Sequence, residues 1–171
     1  MTSNAWLDAH LDLAYLAGEG RDFHRSVAEL EIDGSVTWPD LAAARIETLF
    51  ATIFTERDGP PGEPAAYPAD DAEAAERAGR RQLSWYEAEE AAGRVTIVRN
   101  LADLDSEVTP RLILLMECAD PIKTPQEVPW WTERGLRVVG LSWAMGSRYA
   151  GGNARPGGLS GDGESLVDAL E

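Results

Sequence analysis

Cys118 is the only cysteine, so no disulfide can form within the chain. Only Lys123 among 15 basic residues is a lysine, and no basic block offsets the 30 acidic residues or the net charge of −15. A surface of that sign repels nucleic-acid phosphates and anionic membrane faces, so neither is expected as a partner. The acidic excess reads as a solubilising surface. No stretch approaches the roughly 20 apolar residues of a membrane-spanning helix, so membrane insertion is not expected. The N-terminus lacks the basic start and apolar core of a signal peptide. Together these features point to the cytoplasm. Histidine is scarce too: His10 and His24 are the only two.

What is there fits one domain. The chain has 171 residues, 44% of them hydrophobic and 26% charged, enough for a real core. Residues 5–13 read as a first strand. A polar loop with Gly18, Gly20 and Asp33-Gly34 follows, then a short helical turn from Pro39-Asp40-Leu41, where proline suits a helix start. Glu47 to Thr55 is rich in β-branched and aromatic residues, a second strand. The prolines at 60, 61, 64 and 68 argue against regular structure from Gly59 to Pro68. Asp70-Asp71 open a helix to about Ala92, with Gly93 as its stop. Val95 to Val98 is a third strand and Arg111 to Met116 a fourth. Pro125 to Arg134 is helical and ends at Gly135. Leu136 to Trp143 is a fifth strand. A glycine-rich loop, Gly146 to Gly163, leads to a last helix from Glu164. Strands and helices that alternate in this way imply a parallel sheet. The fourth and fifth strands are almost wholly apolar, as strands covered on both faces should be.

His10-Leu11-Asp12 closes the first apolar run. Residues i and i+2 of a strand share a face, so His10 and Asp12 project together as half of a zinc-type ligand set. Asp12 could equally cap a surface turn. Glu117 follows the fully apolar run Leu112 to Met116. If the two runs are neighbouring parallel strands, the three side chains converge at one rim of the sheet. Barrels and open α/β sheets place their chemistry at that end.

Several collinear segments carry a resemblance: Asp8-Ala9-His10-Leu11-Asp12-Leu13, Phe50-Ala51-Thr52-Ile53-Phe54, the run from Leu114 to Ile122 containing Met116-Glu117-Cys118-Ala119-Asp120-Pro121, the run from Arg134 to Trp143, Arg148-Tyr149-Ala150-Gly151-Gly152, and Gly157-Gly158-Leu159. In these the sequence resembles the N-terminal half of the bacterial membrane dipeptidase (renal dipeptidase) family. The resemblance implies a (β/α)8 TIM-barrel-like metal-dependent hydrolase. Residues 1–171 would form a single domain, an N-terminal partial barrel of about five parallel strands that stops inside an amphipathic helix and is therefore expected to be truncated.

The resemblance also implies a binuclear Zn2+ centre cleaving dipeptides through a metal-activated water. His10 and Asp12 would bind the first zinc, and Glu117 would bridge both zincs and serve as the catalytic carboxylate. The two later histidines that hold the family's second zinc have no counterpart after His24, so at most one site is complete. Where some members carry a substrate-binding histidine, Ser142-Trp143-Ala144 stands instead.

Other residues leave alternatives open. Trp143 packs against a substrate side chain or covers the barrel mouth. Arg148 pairs with a substrate carboxylate or pins the glycine-rich loop to an acidic neighbour. Tyr149, beside it, faces the site. Cys118 reads as a small buried hydrophobe, and His24 as a solvent-exposed loop residue. Trp130-Trp131 cannot both face the sheet, which leaves one partly exposed or against another subunit. Asp8 and Asp120 read as loop residues or as groups that orient a ligand. Two functional readings follow: a metallodipeptidase acting on a small peptide substrate, or a catalytically inactive truncated remnant that binds metal or pairs its open edge with another copy as a homo-oligomer.

Overall fold

The computed structural model of the chain describes residues 5–32 and 36–171; the expected Asp33-Gly34 turn lies outside them. In chain order the elements are β1 (Trp6–Leu11), α1 (Leu13–Gly18), α2 (Val27–Leu30), α3 (Trp38–Ala44), β2 (Ile46–Ile53), β3 (Glu56–Arg57), β4 (Ala66–Tyr67), α4 (Ala72–Ala91), β5 (Thr96–Ile97), β6 (Arg111–Met116), α5 (Val128–Glu133), β7 (Leu136–Val139) and α6 (Gly161–Leu170).

β1, β2 and β6 lie side by side in that order, all parallel. β5 and β7 are parallel to β6 as well. The Leu112 carbonyl accepts from the Val98 amide at 2.8 Å and the Met116 carbonyl from Gly140 at 2.7 Å. Carbonyls of alternate residues leave a strand on the same side, so β5 and β7 share one edge of β6. β5 takes its start and β7 its end. The expected five parallel strands are therefore present, but the third apolar run does not stand between the second and fourth. The continuous wall is β1–β2–β6–β7, with β5 a two-residue addition below β7.

One face of this wall is packed. Leu49, Ala51 and Ile53 of β2 and Leu112, Leu114 and Met116 of β6 are fully buried, in one cluster with Leu13 of α1, Leu41 of α3, Leu83 and Tyr86 of α4 and Trp131 of α5. Burying a side chain of this size contributes roughly 1.5–3 kcal/mol, so this face holds the wall to its helices. On the other face Phe50, Ile113 and Leu115 are only half buried. The expectation of cover on both faces thus holds for one face among the described residues.

Local signals explain the helix ends. Asp71 caps α4 by accepting from the Ala74 amide at 2.8 Å, and Gly135, at φ 106°, turns the chain from α5 into β7. Four expectations are corrected. The polar loop before Pro39 contains α1 and α2, the latter opened by a Ser26/Glu29 capping box. Within Gly59 to Pro68, Ala66–Tyr67 pair in parallel with Glu56–Arg57. The fifth strand ends at Val139 rather than Trp143, and α6 starts three residues early because Ser160 caps it by accepting from Gly163 at 3.0 Å.

Candidate metal centre

β1 does not pair with β2 evenly: its register slips between Asp8 and Leu11. A slip of this kind re-aims side chains, and His10 lies within it. The His10 amide donates to Asp8 Oδ1 at 2.9 Å, so Asp8 holds the backbone that presents the imidazole. Asp12 follows the last β1 residue. It occupies the cap position of α1 without a side-chain capping bond, which leaves its carboxylate to other partners. The reading of Asp12 as a turn cap is thereby corrected.

β1 and β6 are not neighbours, contrary to expectation, because β2 lies between them. The three side chains nevertheless meet across it. His10 Nε2 is 2.8 Å from Glu117 Oε1 and 3.6 Å from Asp12 Oδ1. One nitrogen and two carboxylate oxygens from His10, Asp12 and Glu117 lie within 4.8 Å of one another. The intervening strand contributes Thr52, whose hydroxyl donates to Asp12 Oδ1 at 2.5 Å. Side-chain exposure falls from 50% at His10 to 41% at Asp12 and 11% at Glu117. Burial, then the nearby Asp12 carboxylate, push the pKa of Glu117 up to about 7 against the opposing pull of His10. Crowded carboxylates facing an imidazole nitrogen form a donor set for a hard or borderline divalent cation, and a cation here would relieve the repulsion that raises Glu117.

Around the centre the strand ends carry aromatic rings. Tyr15 meets Phe54 edge-on at 5.4 Å, and Phe54 meets Trp143 at 5.0 Å. Gln82 of α4 bonds both main-chain groups of Phe54, its Oε1 accepting from the amide at 2.9 Å and its Nε2 donating to the carbonyl. That pins Phe54 just past the end of β2. Trp143 is 40% exposed and borders a cavity of about 620 Å³ together with Ser142, Asn153 and Pro156.

Arg148 and Tyr149 do not face the centre as substrate contacts. Asp120, almost fully buried, accepts from the Arg148 amide at 2.9 Å and from its Nε at 3.1 Å, and the Arg148 Nη2 donates to the Asp120 carbonyl at 2.5 Å. Of the two readings of Arg148, the structure has the loop pinned to an acidic neighbour. Tyr149 is fully buried and its hydroxyl donates to the Ile122 carbonyl, so it packs in the core, and the expectation of a substrate contact is corrected. Asp120 also accepts from the Tyr67 hydroxyl at 2.6 Å, beside the buried Cys118. His24 is half exposed but not free, with Nε2 3.4 Å from Glu89. Trp131 is buried and Trp130 lies between the Arg80 and Arg134 guanidinium groups, 3.8 and 4.0 Å from its ring. Cation–π contacts cover that ring within the chain itself.

Sequence reading missed Thr52 and Gln82. Thr52 carried a faint signal, as a polar residue inside an apolar strand near the sheet's chemical end. Gln82 carried none, because its partner is 28 residues away.

No family model matches this sequence, and no curated protein matches it. Solved structures match it by fold. Dipeptidase AC, a metallo peptidase, is 20% identical with a TM-score of 0.70, over 96% of this chain and 52% of that one. A metallo peptidase from Rhodobacter sphaeroides, bound to a phosphinate mimic of the dipeptide L-Ala-D-Ala, is 19% identical with a TM-score of 0.72, over 96% and 55%. The probable dipeptidase PvdM from Pseudomonas aeruginosa is 17% identical with a TM-score of 0.71, over 96% and 43%. Over that length the chain shares the fold of these structures. It spans about half the length of these structures. Among its described residues, no helix is long and apolar enough to cross a membrane.

Proposed function

We propose that this chain belongs to the membrane dipeptidase family and carries the first-metal side of a zinc-dependent dipeptidase centre. His10 and Asp12 are its ligands, and Glu117 is a shared ligand and proton acceptor. The observation that carries the proposal is the convergence of three ligand atoms within 4.8 Å at the C-terminal ends of β1 and β6. The fold of the dipeptidase structures supports it.

Zinc bound there would lower the pKa of a water ligand to about 7 and polarise the scissile carbonyl. The chain's own residues do the rest. Asp8 holds the His10 backbone in place. Glu117, least exposed of the three, is placed to take a proton at the reacting centre. Trp143 and Phe54 offer an apolar rim against which a small peptide side chain can rest.

Equilibrium dialysis with zinc tests the site, and release of free amino acids from a panel of dipeptides tests the reaction. One zinc per chain is expected, lost in H10A, together with zinc-dependent hydrolysis that E117Q abolishes. No zinc binding by the wild-type chain would overturn the proposal. Zinc binding without hydrolysis would favour the second reading, a metal-binding module without turnover.

A further inference from the structure

We infer that Thr52 is a positioning residue that holds Asp12 in line with His10 and Glu117 for metal binding; this rests on the metal-centre reading above. Asp12 has no support from its own helix, since its carboxylate makes no capping bond to α1, and its side chain is 41% exposed. The Glu117 carboxyl group crowds it, the two offering oxygens within 4.8 Å of each other. Left to those forces, the Asp12 side chain would swing toward water and away from the other two donors.

A hydrogen bond from the neighbouring strand opposes that motion. Thr52 Oγ1 donates to Asp12 Oδ1 at 2.5 Å, the oxygen that faces His10 Nε2 at 3.6 Å. Thr52 is fully buried, and a β-branched side chain is stiff at χ1, so the donor is fixed. Its backbone is fixed as well. The Tyr86 hydroxyl donates to the Thr52 carbonyl at 2.9 Å and accepts from the Ala14 amide, two residues beyond Asp12, at 3.2 Å. A single buried tyrosine thus ties the strand that carries the donor to the segment that carries the acceptor. A carboxylate oxygen that accepts one hydrogen bond keeps a lone pair for a cation. Groups that orient metal ligands in this way typically change affinity by about 10–100-fold when removed.

The test compares zinc affinity of the wild-type chain with T52V, T52A and T52S, alongside Co2+ absorption spectra and thermal unfolding. T52V keeps the shape and loses the donor; T52S keeps the donor and loses the methyl. T52V and T52A should bind zinc about 10–100-fold more weakly with an altered Co2+ spectrum, and T52S should recover most of the affinity. If one hydroxyl-free variant does not fold, the other gives the comparison. Wild-type affinity in T52V or T52A overturns the inference, and so does equal weakening in T52S, which would assign the effect to packing. A wild-type chain that binds no zinc fails the metal-centre reading itself, a separate outcome.

Discussion

Trp38 of α3 donates its indole N–H to Glu89 of α4 at 2.7 Å, and the two are almost fully buried. The same carboxylate accepts from Arg94 at 2.6 and 3.0 Å and lies 3.4 Å from His24. Burial works against the charge on Glu89, but the hydrogen bonds from Arg94 and Trp38 and the positive charges of Arg94 and His24 outweigh it and hold the pKa below the usual carboxylate value. When the folded-state pKa is lowered, the unfolded chain takes up the proton first as pH falls. The stability from Glu89 is therefore complete above the unfolded value of roughly 4.3 and is lost as pH falls through the folded one. E89Q should be less stable than wild type in urea at pH 7, with the gap narrowing steadily below pH ~4.3. A gap of constant size down to acid would count against this account.

Tyr86 makes the second test. Its hydroxyl is buried and serves two main-chain groups, the Thr52 carbonyl and the Ala14 amide. Phenylalanine fills the same space and leaves both without that partner. Unpaired buried polar groups cost about 1–3 kcal/mol each, partly offset when neighbours relax. Y86F should therefore lose about 1–3 kcal/mol in denaturant unfolding. A loss below about 0.5 kcal/mol would mean that water or a neighbour replaces the hydroxyl.

Asp120 governs a different region. It holds Arg148 within the loop between β7 and α6 and Tyr67 at the end of β4. D120N keeps the size but loses the charge that orders Arg148. A hydrogen bond to a charged group contributes about 1.5–3 kcal/mol, so the loop should open locally before the rest unfolds. Limited trypsin digestion followed by mass spectrometry should show faster cleavage after Arg148 in D120N. Unchanged cleavage rates would place the loop's order elsewhere, for instance in the Ser147 hydroxyl, which donates to the Leu141 carbonyl at 2.6 Å.

How far the sequence revealed this architecture depends on the range of each interaction. That His10, Asp12 and Glu117 meet at one end of the sheet was legible because strand periodicity is local and their apolar runs are strong. The boundaries of β6 were legible for the same reason. That β2 lies between the two ligand-bearing strands was not, because spatial order is set by packing between distant segments. Ser26 and Glu29 did carry a readable helix start, hidden by the polar composition around them. Arg148 and Tyr149 show the limit most clearly. They are adjacent in an irregular loop, and only tertiary contacts decide that one guanidinium pairs with Asp120 while the neighbouring ring is buried. Thr52 and Glu89 depend on partners 40 and 51 residues away.

Gly140 follows β7 directly, and its amide donates to the Met116 carbonyl at 2.7 Å. A Cβ at this position would sit 2.7 Å from the Glu117 carbonyl oxygen and 3.4 Å from its carbonyl carbon. The first contact is closer than packed atoms tolerate, and the obstacle is backbone, which cannot rotate away as a side chain can. In G140A either the β6–β7 pairing opens at its end or the Glu117 backbone shifts. Overpacking of this kind costs typically about 1–3 kcal/mol. Because the displaced residue carries a proposed ligand, zinc affinity should fall along with thermal stability. Gly93, where a Cβ would meet nothing within 4 Å, is the control: G93A is strained by its φ of 72°, so it should lower stability while leaving zinc affinity as in wild type. Equal zinc affinity in G140A and G93A would show that the end of β6 can yield without moving the Glu117 carboxylate.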